Sequence, residues 1–305
     1  MISVLIPVYN VDVLELVANL YQQLLDCNVT AEIICLDDAS TSATTTINRQ
    51  LLEIIASSAQ SAPVRIRYEE LPENIGRARI RNALAARAQY PFLLFMDCDS
   101  KVVRSDFMQV YLAHLQHDTL ICGGGSYASQ PLSDPKRYLH WHYGRQREQL
   151  PVAQRQLRPY DAFKTYNFLI PKAIFDQIRF DEQIRSYGHE DTLFGMELQQ
   201  RNVNILHIDN PLEHIGLEIN IVFLEKTKQS IHNLLLLRAR YATIKTKLLH
   251  VADLLLKYRI ANFVYHILKY MHPWMLRHLL GPSPQLYVLD CYKLLLLLDG
   301  RRSLS

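Results

Sequence analysis

Pairable cysteines, long apolar runs and low-complexity tracts are all missing from this 305-residue chain, and each gap removes a class of protein. The five cysteines, Cys27, Cys35, Cys98, Cys122 and Cys291, are odd in number and include no C-x-x-C pair and no His at zinc-finger spacing. A disulfide scaffold and a zinc finger are thereby set aside, and free thiols in a reducing, cytoplasmic setting are expected. No stretch approaches about 18 uninterrupted apolar residues, so no spanning helix is expected. Met1-Ile2-Ser3-Val4 runs straight into a strand pattern without a basic n-region, so no secretory leader is expected either. Gly123-Gly124-Gly125 is not followed by Lys-Ser/Thr at Walker spacing, which excludes a phosphate loop. Those glycines instead permit close backbone approach or positive φ.

What is present has the composition of an ordinary globular protein, 49% hydrophobic and 21% charged, and enough length for one large α/β domain with additions. The net charge of +3 conceals two halves. Glu225 to Ser305 holds thirteen Lys/Arg against four Asp/Glu, a net +9, which leaves −6 on the first 224 residues. Two parts are therefore expected: residues 1–220, and a basic, leucine-rich region over 221–305.

Hydrophobic period assigns the first part. Strands are predicted at Ile2–Val8, Ala31–Leu36, Val64–Tyr68 and Tyr90–Phe95, alternating with helices over 12–26 (Asp12 as N-cap), 41–60 and 76–89. Such alternation argues for βαβ units on a mainly parallel, Rossmann-like sheet flanked by helices. Residues 130–160, polar with Trp141 and several Tyr and His, read as a functional excursion rather than core. Beyond residue 219 the pattern is almost wholly helical, with breaks expected at Pro273 and at Gly281-Pro282-Ser283-Pro284.

Phe95-Met96-Asp97-Cys98-Asp99-Ser100 is the stretch that points to chemistry. Two carboxylates two residues apart at a strand end share a face if strand alternation continues. Ligands of open α/β sheets collect at the carboxyl ends of strands, where paired hard oxygens suit Mg²⁺ or Mn²⁺ carrying a phosphate. Cys98 packs that strand end. Tyr9-Asn10, Asp37-Asp38 and Gly188-His189-Glu190-Asp191 also follow apparent strands, and so many carboxylates in one cleft need a cation or donors to compensate them.

Four segments in order, Ser3-Val4-Leu5-Ile6-Pro7-Val8-Tyr9-Asn10, Leu36-Asp37-Asp38-Ala39-Ser40, Asn74-Ile75-Gly76-Arg77-Ala78-Arg79-Ile80-Arg81-Asn82 and Met96-Asp97-Cys98-Asp99, then Tyr187-Gly188-His189-Glu190-Asp191, resemble the family 2 glycosyltransferases over about residues 1–220. These are inverting enzymes of the GT-A fold, bacterial in type here, that use nucleotide-sugar donors. The resemblance implies a nucleotide-sugar site formed by Pro7, Tyr9, Asn10, Asp38, Asn74, Gly76, Arg77, Arg81, Asp97 and Cys98. Tyr9 would stack on the base, Asp38 accept from base or ribose, and Arg77 and Arg81, four apart on one helix side, reach the diphosphate. Asn74-x-Gly76 forms a turn and cap. The metal, Mg²⁺ or Mn²⁺, falls to Asp99, with Asp97 on the ribose or the same ion and His214, ahead of His207, completing the set. Asp191 takes the role of general base and Glu190 supports it. Two positions depart from the family pattern: Ser42 stands where another Asp is frequent, and Ile80 where a small residue is common.

The partners so implied are a nucleotide-diphosphate sugar and a glycan or lipid-linked acceptor, in glycan, polysaccharide or glycolipid synthesis. A metal-dependent nucleotidyltransferase and an inactive sugar-nucleotide scaffold are the alternatives. In the basic region, leucine runs lie among Arg238, Arg240, Lys245, Lys247, Lys257, Arg259, Lys269 and Arg277. They suit helices packed on the catalytic domain, or amphipathic helices at the cytoplasmic face of an anionic membrane. No nucleic-acid module is recognisable.

Overall fold

A computed structural model describes the chain except residues 42, 44, 51–62, 184–187, 242 and 305, and the side chains of 303–304. Ser42, Tyr187 and most of the helix expected over 41–60 thus lie outside the described residues. The backbone forms two compact units, one of residues 1–128, 148–185 and 190–216, the other of 129–147, 186–189 and 217–305.

The first unit is built on a seven-stranded sheet of order β3-β2-β1-β4-β8-β6-β9. Its members are β1 (Ile2–Val8), β2 (Ala31–Asp37), β3 (Val64–Glu70), β4 (Phe92–Met96), β6 (Thr119–Cys122), β8 (Asn167–Pro171) and β9 (Asn204–His207). Neighbours pair in parallel except β8, which runs antiparallel to both β4 and β6. A second ladder joins β5 (Ser100–Val102), β10 (Leu212–His214) and β7 (Gly125–Ser126) in the order β5-β10-β7.

Both faces of the large sheet are apolar, as a parallel sheet covered on two sides requires. Val4, Ile6, Ile33 and Leu94 belong to one core with α1 (Leu14–Asp26) and α4 (Phe107–Ala113). Leu5, Ile34, Leu93 and Phe95 belong to the other, with α3 (Arg77–Arg87), α7 (Lys172–Ile178) and α8 (Glu190–Gln200). The change of core from Val4 to Leu5 is the two-residue period of a strand. In the second core Phe95 stacks on Phe168 at 4.8 Å and Phe180 on Phe194 at 4.4 Å, each ring stabilising by roughly 1.5–3 kcal/mol through burial. Among the described residues this unit also holds α2 (45–50) and α6 (Val152–Gln156). Asp12 accepts from Leu14 N at 2.8 Å, although the cap position falls on Val13.

The second unit is helical: α5 (Tyr138–Tyr143), α9 (Asn220–Arg240), α10 (Lys247–Lys257), α11 (Ala261–Leu279) and α12 (Leu286–Leu304). Its core joins Leu139 and Leu224 to Leu268, Met275, Leu279, Val288 and Leu289. Leu139 is fully buried and its N–H donates to Asn220 Oδ1 at 3.0 Å, so part of the polar 130–160 stretch is core. The sequence hid this because one leucine and a set of ring side chains carry the apolar face. Pro273 lies inside α11 and does not break it; burial of Leu268, Met275 and Leu279 on the other side outweighs the one lost backbone bond. The break at 281–284 stands. Among the described residues no helix is long and apolar enough to cross a membrane.

Candidate functional site

Parallel pairing gathers the ends of β1, β2 and β4 on one edge of the first unit. Past β1, Tyr9 is half exposed, and Asn10 takes φ 55° with its N–H on Ser40 Oγ at 2.8 Å and its Oδ1 accepting from Thr41 N at 2.9 Å. Pro7 stands beside Leu36 in the β1–β2 register. At the end of β2, Asp37 is sealed by Tyr68 Oη at 2.6 Å and Ser40 N at 2.6 Å. Asp38 accepts from Ile75 N at 2.7 Å and Gly76 N at 3.0 Å, and its carbonyl accepts from Asn74 Nδ2 at 3.1 Å. Burial raises the Asp38 carboxyl above its ordinary range, a rise those two backbone donors moderate. Asn74-x-Gly76 is therefore a turn tied to β2, with Gly76 at φ 85° leading into α3. A left-handed φ of that kind favours glycine.

The two aspartates after β4 do not share a face. The strand ends at Met96 and Cys98-Asp99 form a turn, so the two-residue alternation stops before it reaches them. Asp97 turns to α3, where Arg81 Nη2 meets Oδ1 at 2.5 Å and Arg77 Nη2 meets Oδ2 at 3.4 Å. Arg77 also donates from Nε to Glu190 Oε1 at 2.7 Å. The four-residue spacing does put both arginines on one side of α3, but to different effect. Arg81 is 1% exposed and held against Asp97, whereas Arg77 is half exposed. Cys98 is largely buried, its thiol pushed up to about 12 by desolvation and the neighbouring Asp99 charge.

Asp99 faces the other way. The antiparallel β5–β10 register sets His214 opposite Ser100, and His214 Nδ1 lies 3.6 Å from Asp99 Oδ1. Burial opposes charge on both groups. Even so, their mutual attraction carries the Asp99 carboxyl below its usual range and the His214 imidazole above its own. Gly216 makes room: a Cβ there would stand 2.3 Å from Asp99 Oδ2. The His214 ring meets Tyr127 edge-on at 5.7 Å, and Tyr127 donates to Glu148.

His207 is placed elsewhere. It is buried in β9, its Nε2 donates to Pro159 O at 3.0 Å and its Nδ1 accepts from Arg155 Nη1 at 3.0 Å. Burial lowers its affinity for a proton. Arg155 also fills the space beside Gly124, where a Cβ would lie 2.8 Å from the guanidinium.

No strand precedes Gly188-His189-Glu190-Asp191 among the described residues, against expectation; Glu190 and Asp191 instead begin α8, with Asp191 Oδ1 on Thr192 N at 2.7 Å and Oδ2 on Lys164 Nζ at 2.5 Å. Lys164, Tyr127 and Glu148 escaped the sequence reading. For Lys164 the missing signal is the direction of β8. Because that strand is antiparallel, Met96 pairs with Asn167, and the start of β8 arrives at the edge where β4 ends.

The sequence profile described as Glycosyl transferase family 2 matches residues 3–180. The chain belongs to glycosyltransferase family 2. Solved structures agree in fold. The mannosyltransferase PcManGT from Pyrobaculum calidifontis, in complex with GDP-Man and Mn²⁺, is 14% identical with a TM-score of 0.53, over 80% of this chain and 65% of that one. Residues 1–349 of TarS from S. aureus are 16% identical with a TM-score of 0.50, over 100% and 92% of the two chains. Glucosyl-3-phosphoglycerate synthase from Mycobacterium tuberculosis, with Mg²⁺ and UDP, is 16% identical with a TM-score of 0.50, over 81% of each. The chain thus spans about two thirds of the mannosyltransferase. No curated protein sequence matches. The architecture of this family 2 chain is GT-A-like: a mainly parallel sheet between helices, followed by C-terminal helices.

Proposed function

We propose that this chain transfers a sugar, with inversion, from a nucleotide-diphosphate sugar to an acceptor hydroxyl, and that residues 1–220 carry the reaction. The observation that bears most weight is the convergence on one sheet edge of Asp38, the Arg77–Asp97–Glu190 cluster and the Asp99–His214 pair. In this reading Tyr9 stacks on the base and Asp38 accepts from base or ribose. Arg77, the open member of the arginine pair, contacts the diphosphate, while Arg81 holds Asp97 in place.

Asp99 and His214 are the side chains that would hold Mg²⁺ or Mn²⁺. The donor set fits: a carboxylate and an imidazole side by side, with Gly216 leaving the carboxylate clear. Ions of this kind take few protein ligands and fill their shell with substrate phosphates and water. Such an ion, when bound, neutralises charge on the departing diphosphate.

Asp191 takes the acceptor proton as the acceptor oxygen bonds to the anomeric carbon. The bond from that carbon to the diphosphate oxygen breaks, and its electron pair leaves with the nucleoside diphosphate. Lys164 and Thr192 fix the Asp191 carboxylate while this happens. The test is a screen of nucleotide sugars with Mn²⁺ for released nucleoside diphosphate. No turnover and no binding of any donor would overturn the reading, and release of pyrophosphate from a nucleoside triphosphate would replace it with nucleotidyl transfer.

A further inference from the structure

The second unit exposes an apolar stripe that its own core does not use. In α11 the buried positions are Leu268, Met275 and Leu279. Phe263, Ile267, Tyr270, Met271 and Trp274 are exposed instead, at spacings of four, three, one and three. At 100° per residue those five fall within about 100° of arc. The helix therefore has two apolar sides, one packed and one bare. In α10, Leu249 and Ala252 are buried, while Val251 and Leu254 point out and are followed by Tyr258. Leu256 and Ile260 continue the exposed series through the junction into α11.

Charge on this segment is mostly of one sign. Lys245, Lys247, Lys257, Arg259 and Arg277 stand with a single acidic residue, Asp253, which is paired with Arg301 at 2.8 Å, while Lys269 turns to Asp299 of α12 at 3.6 Å, away from the stripe. An isologous contact between two copies would set this basic rim against itself, at a cost that like charges impose on any interface. An acyl-chain boundary beneath anionic headgroups answers both features. It takes up Phe, Ile and Met, seats Trp and Tyr at the polar boundary, and attracts Lys and Arg. With 19 residues, α11 is about 28 Å long, and its charged flanks favour lying in the interface plane over crossing it.

We propose that α10 and α11 form a docking surface for an anionic phospholipid bilayer, with Phe263, Tyr270 and Trp274 inserted and the basic residues over the headgroups. The inference is independent of the transfer reaction. The full chain is floated with phosphatidylcholine vesicles containing about one third phosphatidylglycerol, and with phosphatidylcholine alone. It rises with the anionic vesicles only, and salt releases it. Phe263→Ser/Tyr270→Ser/Trp274→Ser stays with the protein fraction at the bottom while keeping the wild-type urea midpoint. Lys257→Gln and Arg259→Gln each weaken binding about fivefold. In a Trp141→Phe background, Trp274 emission shifts to the blue on anionic vesicles. A full chain that floats with neither vesicle overturns the proposal, as does a triple variant that floats like wild type. A dimer that the triple variant converts to monomer, with no flotation of the parent, assigns the face to self-association instead.

Discussion

In the first unit Arg81, Asp37 and Glu190 are almost wholly shielded from water, whereas in the second Phe263 and Tyr270 stand 68% and 89% exposed. Neither arrangement follows from burying apolar groups and solvating charged ones. Each of these three charges has a partner at hydrogen-bond distance, although Arg81 Nε is buried without one. That satisfaction offsets desolvation but seldom adds net stability over a well-packed apolar core. The exposed rings of the second unit forgo a stabilisation that a mutually packed pair of helices would have captured. The departures teach where each unit gives up stability for function: the first to hold a geometry of charge, the second to present a surface.

The strongest break of that comparison is chemical. Asp191→Asn keeps the size and the Thr192 contact but cannot accept a proton. It should lower turnover by about 10²–10⁴-fold while donor affinity, measured by calorimetry, stays near wild type. A large loss of donor binding would reassign Asp191 to the donor site. Arg81→Met comes next, because it leaves Asp97 with Arg77 alone at 3.4 Å. Breaking a buried pair costs about 3–5 kcal/mol, and the surviving Arg77 contact and partial solvation of Asp97 put the loss near 2–3 kcal/mol, read as a lowered urea midpoint. An unchanged midpoint would mean that the pair contributes position and no stability. Lys164→Met removes the ammonium contact to one Asp191 oxygen and should slow turnover about tenfold through misorientation, again with donor affinity intact. Loss of donor affinity would place Lys164 on the diphosphate.

Much of the first unit was legible because its signals are local. Ile2–Val8 is found with the residues its pattern marked, and the positions of Asp38 and Asp97 just past their strands follow from parallel order, whereas Asp191 stands in the first turn of a helix. Partners set by pairing between distant segments were legible only where the family resemblance named them: it grouped His214 with Asp99, which the β5–β10 register brings together, but gave no sign of Lys164, which reaches Asp191 through the reversed direction of β8. Nor does spacing say which way a carboxylate turns once a strand has ended, as Asp97 and Asp99 illustrate. Pro273 misled for a related reason: backbone preference is local, while the packing that overrides it comes from α12.

A smaller effect concerns pH. His207 is neutral in its pocket, since one ring nitrogen must donate to Pro159 O and the other must accept from Arg155. Its proton affinity is lowered by burial first, with Arg155 adding to the effect. The unfolded chain, with an ordinary imidazole near 6.5, therefore binds the proton more readily, and stability falls as pH drops through that value. One such group contributes at most about 1.4 kcal/mol per pH unit. His207→Gln, which keeps a donor toward Pro159, should show a shallower decline in urea stability between pH 7.5 and 5.5. Parallel declines would mean that His207 takes up its proton without hindrance in the folded chain.

The smallest expected effect lies on the second unit and closes the comparison. Tyr270 is nearly as accessible in the folded chain as in an unfolded one, so removing its ring sacrifices almost no area that folding takes from water. Tyr270→Ser should leave the urea midpoint within about 0.5 kcal/mol of wild type, the range of substitutions that touch nothing. The result has meaning only beside Arg81→Met, since both replace one large side chain. If the exposed ring proves as costly as the buried guanidinium, α11 is covered by something in the isolated protein, and the stripe from Phe263 to Trp274 is an internal packing face. If it costs nothing, those residues owe their presence to an encounter outside the fold.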